Sequence, residues 1–191
     1  MFDFDGLLVD SETSIYALAA SVLAQMGHHL SIEQWAGLLG HGPDDSWAAL
    51  CRAVGEELDR EEYQQLSDAQ DRTVHDTLPL VGGATELLDA LDRARVPYGV
   101  ASSSSARWVV GHLERLGVAD RFATIATRDR VDGRSKPAPD VYLLACADLG
   151  VEPATAVAVE DSAPGIAAAR AAGMSVVAVP SHITRHTDLS A

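Results

Sequence analysis

The residues best suited to chemistry sit in four short segments, far apart along a chain of 191 residues. Asp3-Phe4-Asp5-Gly6 sets two carboxylates two residues apart, before a glycine able to take the backbone angles of a tight turn. Paired carboxylates suit two tasks. One acts as nucleophile and the other as general acid–base, or both hold a divalent cation. Val157-Ala158-Val159-Glu160-Asp161-Ser162 repeats the theme, an apolar run ending in two acids, with Pro164 and Gly165 beyond. Val100-Ala101 runs into Ser102-Ser103-Ser104-Ser105 ahead of a helical pattern. Hydroxyls beside free helix N-terminal N–H groups make an anion site. Lys136 lies in Lys136-Pro137-Ala138-Pro139-Asp140, a loop entering a helix. Singly, each segment has a plainer reading: an acidic loop with a turn glycine, a first-turn acid, a serine N-cap, an exposed loop lysine. Together they fit an anionic substrate, a cation and an acidic nucleophile. Asp3, Asp5, Glu160 and Asp161 in one crevice repel one another unless a cation joins them, and hard oxygen donors point to Mg2+.

Composition singles out the lysine. Of 14 basic residues 13 are Arg, and the only lysine is Lys136. A compact charge on a flexible stem is not replaced by a planar fork, so Lys136 stays a candidate site residue.

These segments need a frame that brings strand ends together. Phe2–Phe4 ends a strand-like piece, and Pro97–Ala101, Ala123–Ala126, Ala156–Val159 and Ser175–Val179 read as further short strands. Helical patterns lie between them. Thr85–Arg95 puts Leu87, Leu88 and Leu91 on one face, and Ala106–Leu116 does the same with Val109, Val110, Leu113 and Leu116. Pro139–Leu149 and Ala163–Ala172 follow the same period, and Gly117, Gly150 and Gly173 each follow a helix. Strand and helix alternating at this pace predict an α/β fold with a doubly wound parallel sheet, which binds ligands at the carboxyl ends of its strands. Residues 13–79 break the rhythm. Helices are expected at about 13–26, 31–39, 44–54 and 60–77, stopped by Gly27, Gly40 and Gly55. The expected organisation is a core of residues 1–12 and 80–191 carrying an inserted all-helical cap, 13–79.

The net charge of −14 argues against nucleic acid and against an anionic membrane surface. No apolar run is long enough to span a bilayer, and no signal peptide opens the chain, so a cytoplasmic location is expected. Cys51 and Cys146 read as buried thiols of a reduced compartment. The 13–79 segment is lopsided, with 11 acids against Arg52, Arg60 and Arg72. Such a cap is a poor receptor for a second anionic group, which favours an anionic substrate with a neutral far end. His41, His28 and His29 could bind an anion if protonated. His182 and His186 read as tail residues, and Trp35, Trp47 and Trp108 as packing, with Trp47 near the entrance.

The four segments resemble the signature motifs of the haloacid-dehalogenase-like phosphohydrolase superfamily. Asp3 to Glu12 resembles the first motif, in the branch related to β-phosphoglucomutase and phosphoglycolate phosphatase. Ser102 matches the second motif, Lys136 the third, and Glu160 with Asp161 the fourth. The resemblance covers nearly the whole chain. It implies a Rossmann-like core with a helical cap, Mg2+ as cofactor and a small phosphorylated metabolite as partner. It further implies that Asp3 attacks phosphorus to give a phosphoaspartate, while Asp5 protonates the leaving alcohol and then takes a proton from water. Mg2+ is implied on the carboxylates of Asp3 and Asp161 and the backbone carbonyl of Asp5, with Glu160 as ligand or water holder. Gly6, Ser102, Ser103, Lys136 and His41 are the implied phosphate or substrate contacts.

Departures from the pattern refine this. Dehalogenases and phosphonatases of the superfamily lack the second acid, which is present here as Asp5. The phosphoglucomutases carry a His where this chain has Ile15, and a cap-loop Arg that the stretch Gly40-His41-Gly42-Pro43-Asp44-Asp45 lacks. Hydrolysis is therefore expected over phosphate transfer. A phosphomutase and a catalytically silent binder of phosphorylated ligands are the alternatives, and a monomer or weak homodimer is expected. Only two residues precede Asp3, and the chain stops soon after Val179-Pro180, where relatives add a further strand and helix. Trimmed or truncated ends are expected.

Overall fold

The computed structural model describes residues 1–39, 43–70 and 76–190. Four strands form where the short apolar runs stand, displaced by a residue or two: β1 (Gly99–Ser102), β2 (Thr124–Thr127), β3 (Val157–Glu160) and β4 (Ser175–Ala178). β1 pairs with β2 and β3 with β4, both parallel. Residues 1–3 join the two halves. The Phe2 N–H donates to the Gly99 carbonyl at 2.9 Å, and the Phe2 carbonyl accepts from Ala101 N at 2.9 Å. On the other side Val159 N donates to the Met1 carbonyl (2.8 Å), and Asp3 N to the Val159 carbonyl (3.0 Å). The parallel order is thus β2–β1–(1–3)–β3–β4. Neighbours on both sides thus use the backbone groups of residues 1–3.

Alternation with period two supplies both faces of the sheet. Phe2 and Val100 enter one buried cluster, with Leu88 of α5 (Ala84–Ala94) and Val109 and Leu113 of α6 (Ala106–Arg115). Met1 and Ala101 enter the other, with Val141, Tyr142 and Ala145 of α7 (Asp140–Leu149) and Ala168 and Ala169 of α8 (Ala163–Ala171). Helices on both faces make the sheet doubly wound. One expectation fails: Leu87 is 44% exposed, because α5 packs through Leu88 and, in part, Leu91.

The cap is inserted where Val9 and Leu80 form an antiparallel bridge, so the outgoing and returning chain run side by side. It holds α1 (Ser11–Gln25), α2 (Ile32–Ala36), α3 (Pro43–Val54) and α4 (Arg60–Asp68). Local capping fixes their starts. Asp10 accepts from Thr13 N, Ser31 and Gln34 form a capping box, and Asp59 accepts from Glu61 N and Glu62 N. α4 ends at Asp68 with Ala69 as its C-cap, and residues 71–75 of the expected span 60–77 lie outside the described residues. Ala19, Leu23, Leu30, Leu50 and Leu58 form the cap's own buried cluster, edged by Tyr16, Trp35, Trp47 and Tyr63. Cys51 and Cys146 are free, and Cys146 is buried. Among the described residues no helix is long and apolar enough to cross a membrane.

Candidate active site

The four segments converge at the carboxyl ends of the central strands. Gly6 turns the chain away from the strand with a φ of +77°, and a Cβ there would collide with the Asp161 carboxylate. Glycine is therefore required twice, for the turn and for the close approach of the two motifs. The serine N-cap of α6 is Ser105, whose hydroxyl accepts from Trp108 N. The N-cap of α8 is Ser162, accepting from Gly165 N. The plain capping roles thus fall to these two serines, leaving Ser102–Ser104 and the acids Glu160 and Asp161 for other contacts.

Lys136 lies in a loop but is not an exposed lysine. Its side chain is only 6% exposed, and its Nζ donates to Asp3 Oδ1 at 2.5 Å and Glu160 Oε1 at 2.6 Å. The same Glu160 oxygen accepts from the Tyr142 hydroxyl at 2.5 Å, and the ammonium lies 4.9 Å from the centre of the Tyr142 ring. Glu160 Oε2 accepts from the Ser162 hydroxyl at 3.2 Å. Glu160 is fully buried, in space that any Cβ at Gly165 would fill. Thr184 donates its hydroxyl to Asp161 Oδ2 at 3.4 Å. Asp3, Glu160 and Asp161 each offer an oxygen within 4.8 Å of the others, and all three are buried.

Three carboxylates around one ammonium leave an excess of negative charge. Burial, with Glu160 and Asp161 nearby, raises the Asp3 pKa well above its ordinary value despite Lys136. Burial and the Glu160 charge lift Asp161 to about 7. Burial lowers the Lys136 pKa, but Asp3 and Glu160 outweigh it and raise it above the ordinary value. Burial and Glu160 keep the Tyr142 phenol protonated as a donor. An all-carboxylate donor set short of positive charge fits a hard divalent cation such as Mg2+.

Asp5 lies outside that cluster. Its Oδ1 accepts from the Ser11 hydroxyl (2.8 Å) and the Trp108 indole N–H (2.8 Å), and its Oδ2 from the Ser104 hydroxyl (2.5 Å). The two acids of the first motif thus have different partners, cationic for Asp3 and neutral for Asp5. Both face a cavity of about 550 Å³, lined also by Ser102, Ser103, Lys136, Asp161 and Arg128. Glu12, Ile15 and Leu39 line this cavity and also a second, of about 430 Å³, which runs into the cap between Trp35, Trp47, Tyr63 and Arg60. At the junction, burial and the Asp5 charge raise Glu12 to about 7.

The structure therefore gathers Asp3, Asp5, Ser102, Ser103, Lys136 and Asp161 around one cavity, with Glu160 behind them. Ser102 is buried, its Oγ accepting from Ser104 N at 3.0 Å. Ser103 Oγ accepts from Lys136 N at 3.1 Å and so ties the lysine loop to the serine loop. Gly6, expected among the phosphate contacts, gives its N–H to the Val9 carbonyl at 2.8 Å; its observed role is to make room for Asp161. His41 lies outside the described residues. His28 and His29 line neither cavity, and His186 stands 3.8 Å from Glu33 of the cap. Sequence reasoning missed Ser11, Glu12, Ser104, Arg128, Tyr142 and Thr184, and it read Trp108 as packing. The hydroxyl run hinted at Ser104. Ser11 and Glu12 stand within or at the end of the segment resembling the first motif, and the rest carry no signal beyond their types.

Comparison with known proteins now decides the family. The model of the haloacid dehalogenase-like hydrolases matches residues 1–179. The chain belongs to this family. YhcW of Bacillus subtilis (strain 168) is 36% identical over 185 residues, covering 96% of this chain and 84% of its own length. Hexitol phosphatase B of Escherichia coli (strain K12) is 33% identical over 184 residues, covering 94% of this chain and 82% of its own. A solved family hydrolase from Deinococcus radiodurans R1, with bound phosphate and sodium, superposes with a TM-score of 0.79. It is 32% identical and matches 92% of this chain and 77% of its own. This haloacid dehalogenase-like hydrolase is accordingly an enzyme of the phosphatase class.

Proposed function

We propose that the protein hydrolyses small phosphate monoesters, sugar and polyol phosphates in particular, through a phosphoaspartate on Asp3. The observation that carries this reading is the division of labour between the two acids. Asp3 sits against a buried ammonium and two further carboxylates, and Asp5 sits two residues away among neutral donors facing the same cavity. Asp3 attacks phosphorus, and the bond to the ester oxygen breaks. Asp5 delivers a proton to that oxygen as the alcohol leaves. Asp5 then takes a proton from water as it attacks the phosphoaspartate, releasing inorganic phosphate and restoring Asp3. Lys136 offsets charge on Asp3 and the phosphoryl group, and Ser102 with Ser103 donates to phosphoryl oxygens. The carboxylates of Asp3 and Asp161 and the backbone carbonyl of Asp5 would hold Mg2+, which when bound supplies charge neutralisation at the phosphoryl oxygens. Glu160 is committed to Lys136, Tyr142 and Ser162, which favours its service as the anchor of Lys136.

The substrate class rests on the cap. The second cavity is walled by Trp35, Trp47, Tyr63 and Leu50, a surface suited to the C–H faces of a sugar or polyol chain. The name of the hexitol phosphatase relative points the same way. We assign residues 13–79 to this selecting cap and residues 1–12 and 80–191 to the core. The test is inorganic phosphate release from a panel of hexitol, hexose and two-carbon phosphates, with Mg2+ and with EDTA. Release that is highest on six-carbon esters and lost in EDTA is expected. Release unaffected by EDTA, or an isomerised sugar phosphate in place of free phosphate, overturns the reading.

A further inference from the structure

Trp108 stands apart from the other donors around Asp5. Serine hydroxyls rotate, and they accept as readily as they donate, so Ser11 and Ser104 can follow the carboxyl group into more than one orientation. An indole N–H only donates, along a direction fixed by its ring. The Trp108 ring is itself held. His112 packs on it with ring centres 4.0 Å apart, and His112 Nδ1 donates to the Trp108 carbonyl at 3.1 Å. His112 also meets Phe4, the residue between Asp3 and Asp5, edge to face at 6.1 Å. Phe4 is fully buried. A wedge of Phe4, His112 and Trp108 thus runs from the backbone of the first motif out to the side chain of Asp5. The indole is also neutral. It can orient a carboxyl group without the counter-charge that draws Asp3 to Lys136.

We propose that Trp108 is a positioning residue for the leaving group. Its indole N–H holds Asp5 away from the Lys136 and Asp161 cluster and toward the departing alcohol oxygen. The inference rests on the proposed role of Asp5 as proton donor to that alcohol.

Leaving-group chemistry supplies the test. An alkoxide leaving from a polyol phosphate needs a proton, whereas p-nitrophenolate leaves without one. The readout is the ratio of kcat/KM for a polyol phosphate to kcat/KM for p-nitrophenyl phosphate, which reports bond cleavage and excludes the later hydrolysis step. In Trp108→Phe this ratio is expected to fall about ten-fold, a part of the full effect of general acid catalysis. In Asp5→Asn it should fall by about 10²-fold or more. Loss of packing lowers both rates together and leaves the ratio unchanged, so an unchanged ratio in Trp108→Phe overturns the inference. If Asp5→Asn leaves the ratio unchanged, the role of Asp5 itself is wrong. If only Asp5→Asn lowers it, the Trp108 inference alone fails. Should Trp108→Phe not fold, 3-benzothienylalanine at position 108 keeps the ring shape, replaces N–H by sulfur and is read by the same ratio.

Discussion

The core and the cap bury opposite kinds of side chain. At its strand tips the core takes an ammonium and three carboxylates out of water. The cap encloses aliphatic and aromatic groups, and every described charged residue between 13 and 70 is exposed. Buried ions contribute little net stability, since desolvation offsets most of their attraction. Their presence in one region and absence from the other therefore separates what the fold needs from what the reaction needs. The core crowds like charges at its strand tips, where the proposed chemistry lies, whereas the cap is a small apolar body beside the second cavity.

Substitutions can break this contrast. The largest effect is expected from Asp3→Asn, which removes the proposed nucleophile. Phosphate release should fall by more than about 10³-fold on every ester, with an unchanged or raised melting temperature because a crowded charge is gone. Measurable turnover in that variant would remove Asp3 from the chemistry. Next is Lys136→Met. It leaves Asp3 and Glu160 without their ammonium and should cost about 3–5 kcal/mol in urea unfolding, with loss of activity. Lys136→Arg should restore neither, because the planar fork does not fit a pocket closed by Tyr142.

A third effect concerns pH. Glu12 and Asp161 are raised by burial from ordinary values of 4.5 and 3.8 to about 7. Between about pH 4 and 7 the unfolded chain has released both protons and the folded one retains them. The stability these two groups contribute is full below about pH 4, falls as pH rises to about 7 and levels off above. Thermal melts in EDTA should therefore drop from pH 5 to pH 8. Mg2+, which takes up ionised carboxylates, should raise the melting temperature more at pH 8 than at pH 5. Equal Mg2+ effects at both pH values would count against a carboxylate site. The smallest effect is expected in the cap. Trp47→Ala, at the T-shaped pair with Tyr63 (5.3 Å), should raise KM for a sugar phosphate about three- to ten-fold and change kcat on p-nitrophenyl phosphate little. Collapse of turnover on both esters would erase the distinction between a reacting core and a selecting cap.

The amino-acid sequence determined much of this protein. Apolar runs of four or five residues alternating with helical periods specified a parallel sheet, and motif residues at strand ends specified where a site must form. The single lysine was already a signal of type. What sequence could not supply was orientation. Trp108 and Val109 are adjacent on one amphipathic helix; the period puts the valine in the core, but nothing in it shows that the indole turns to Asp5. Tyr142 reads as an apolar helix residue until Glu160 of a different element is placed against its hydroxyl. Glu160 and Asp161 are neighbours of one charge, yet one anchors a lysine and the other faces the cavity. Local periodicity and propensity are properties of a few consecutive residues. Partners at separations such as the 133 residues between Lys136 and Asp3 exist only once the sheet has brought the strand tips together.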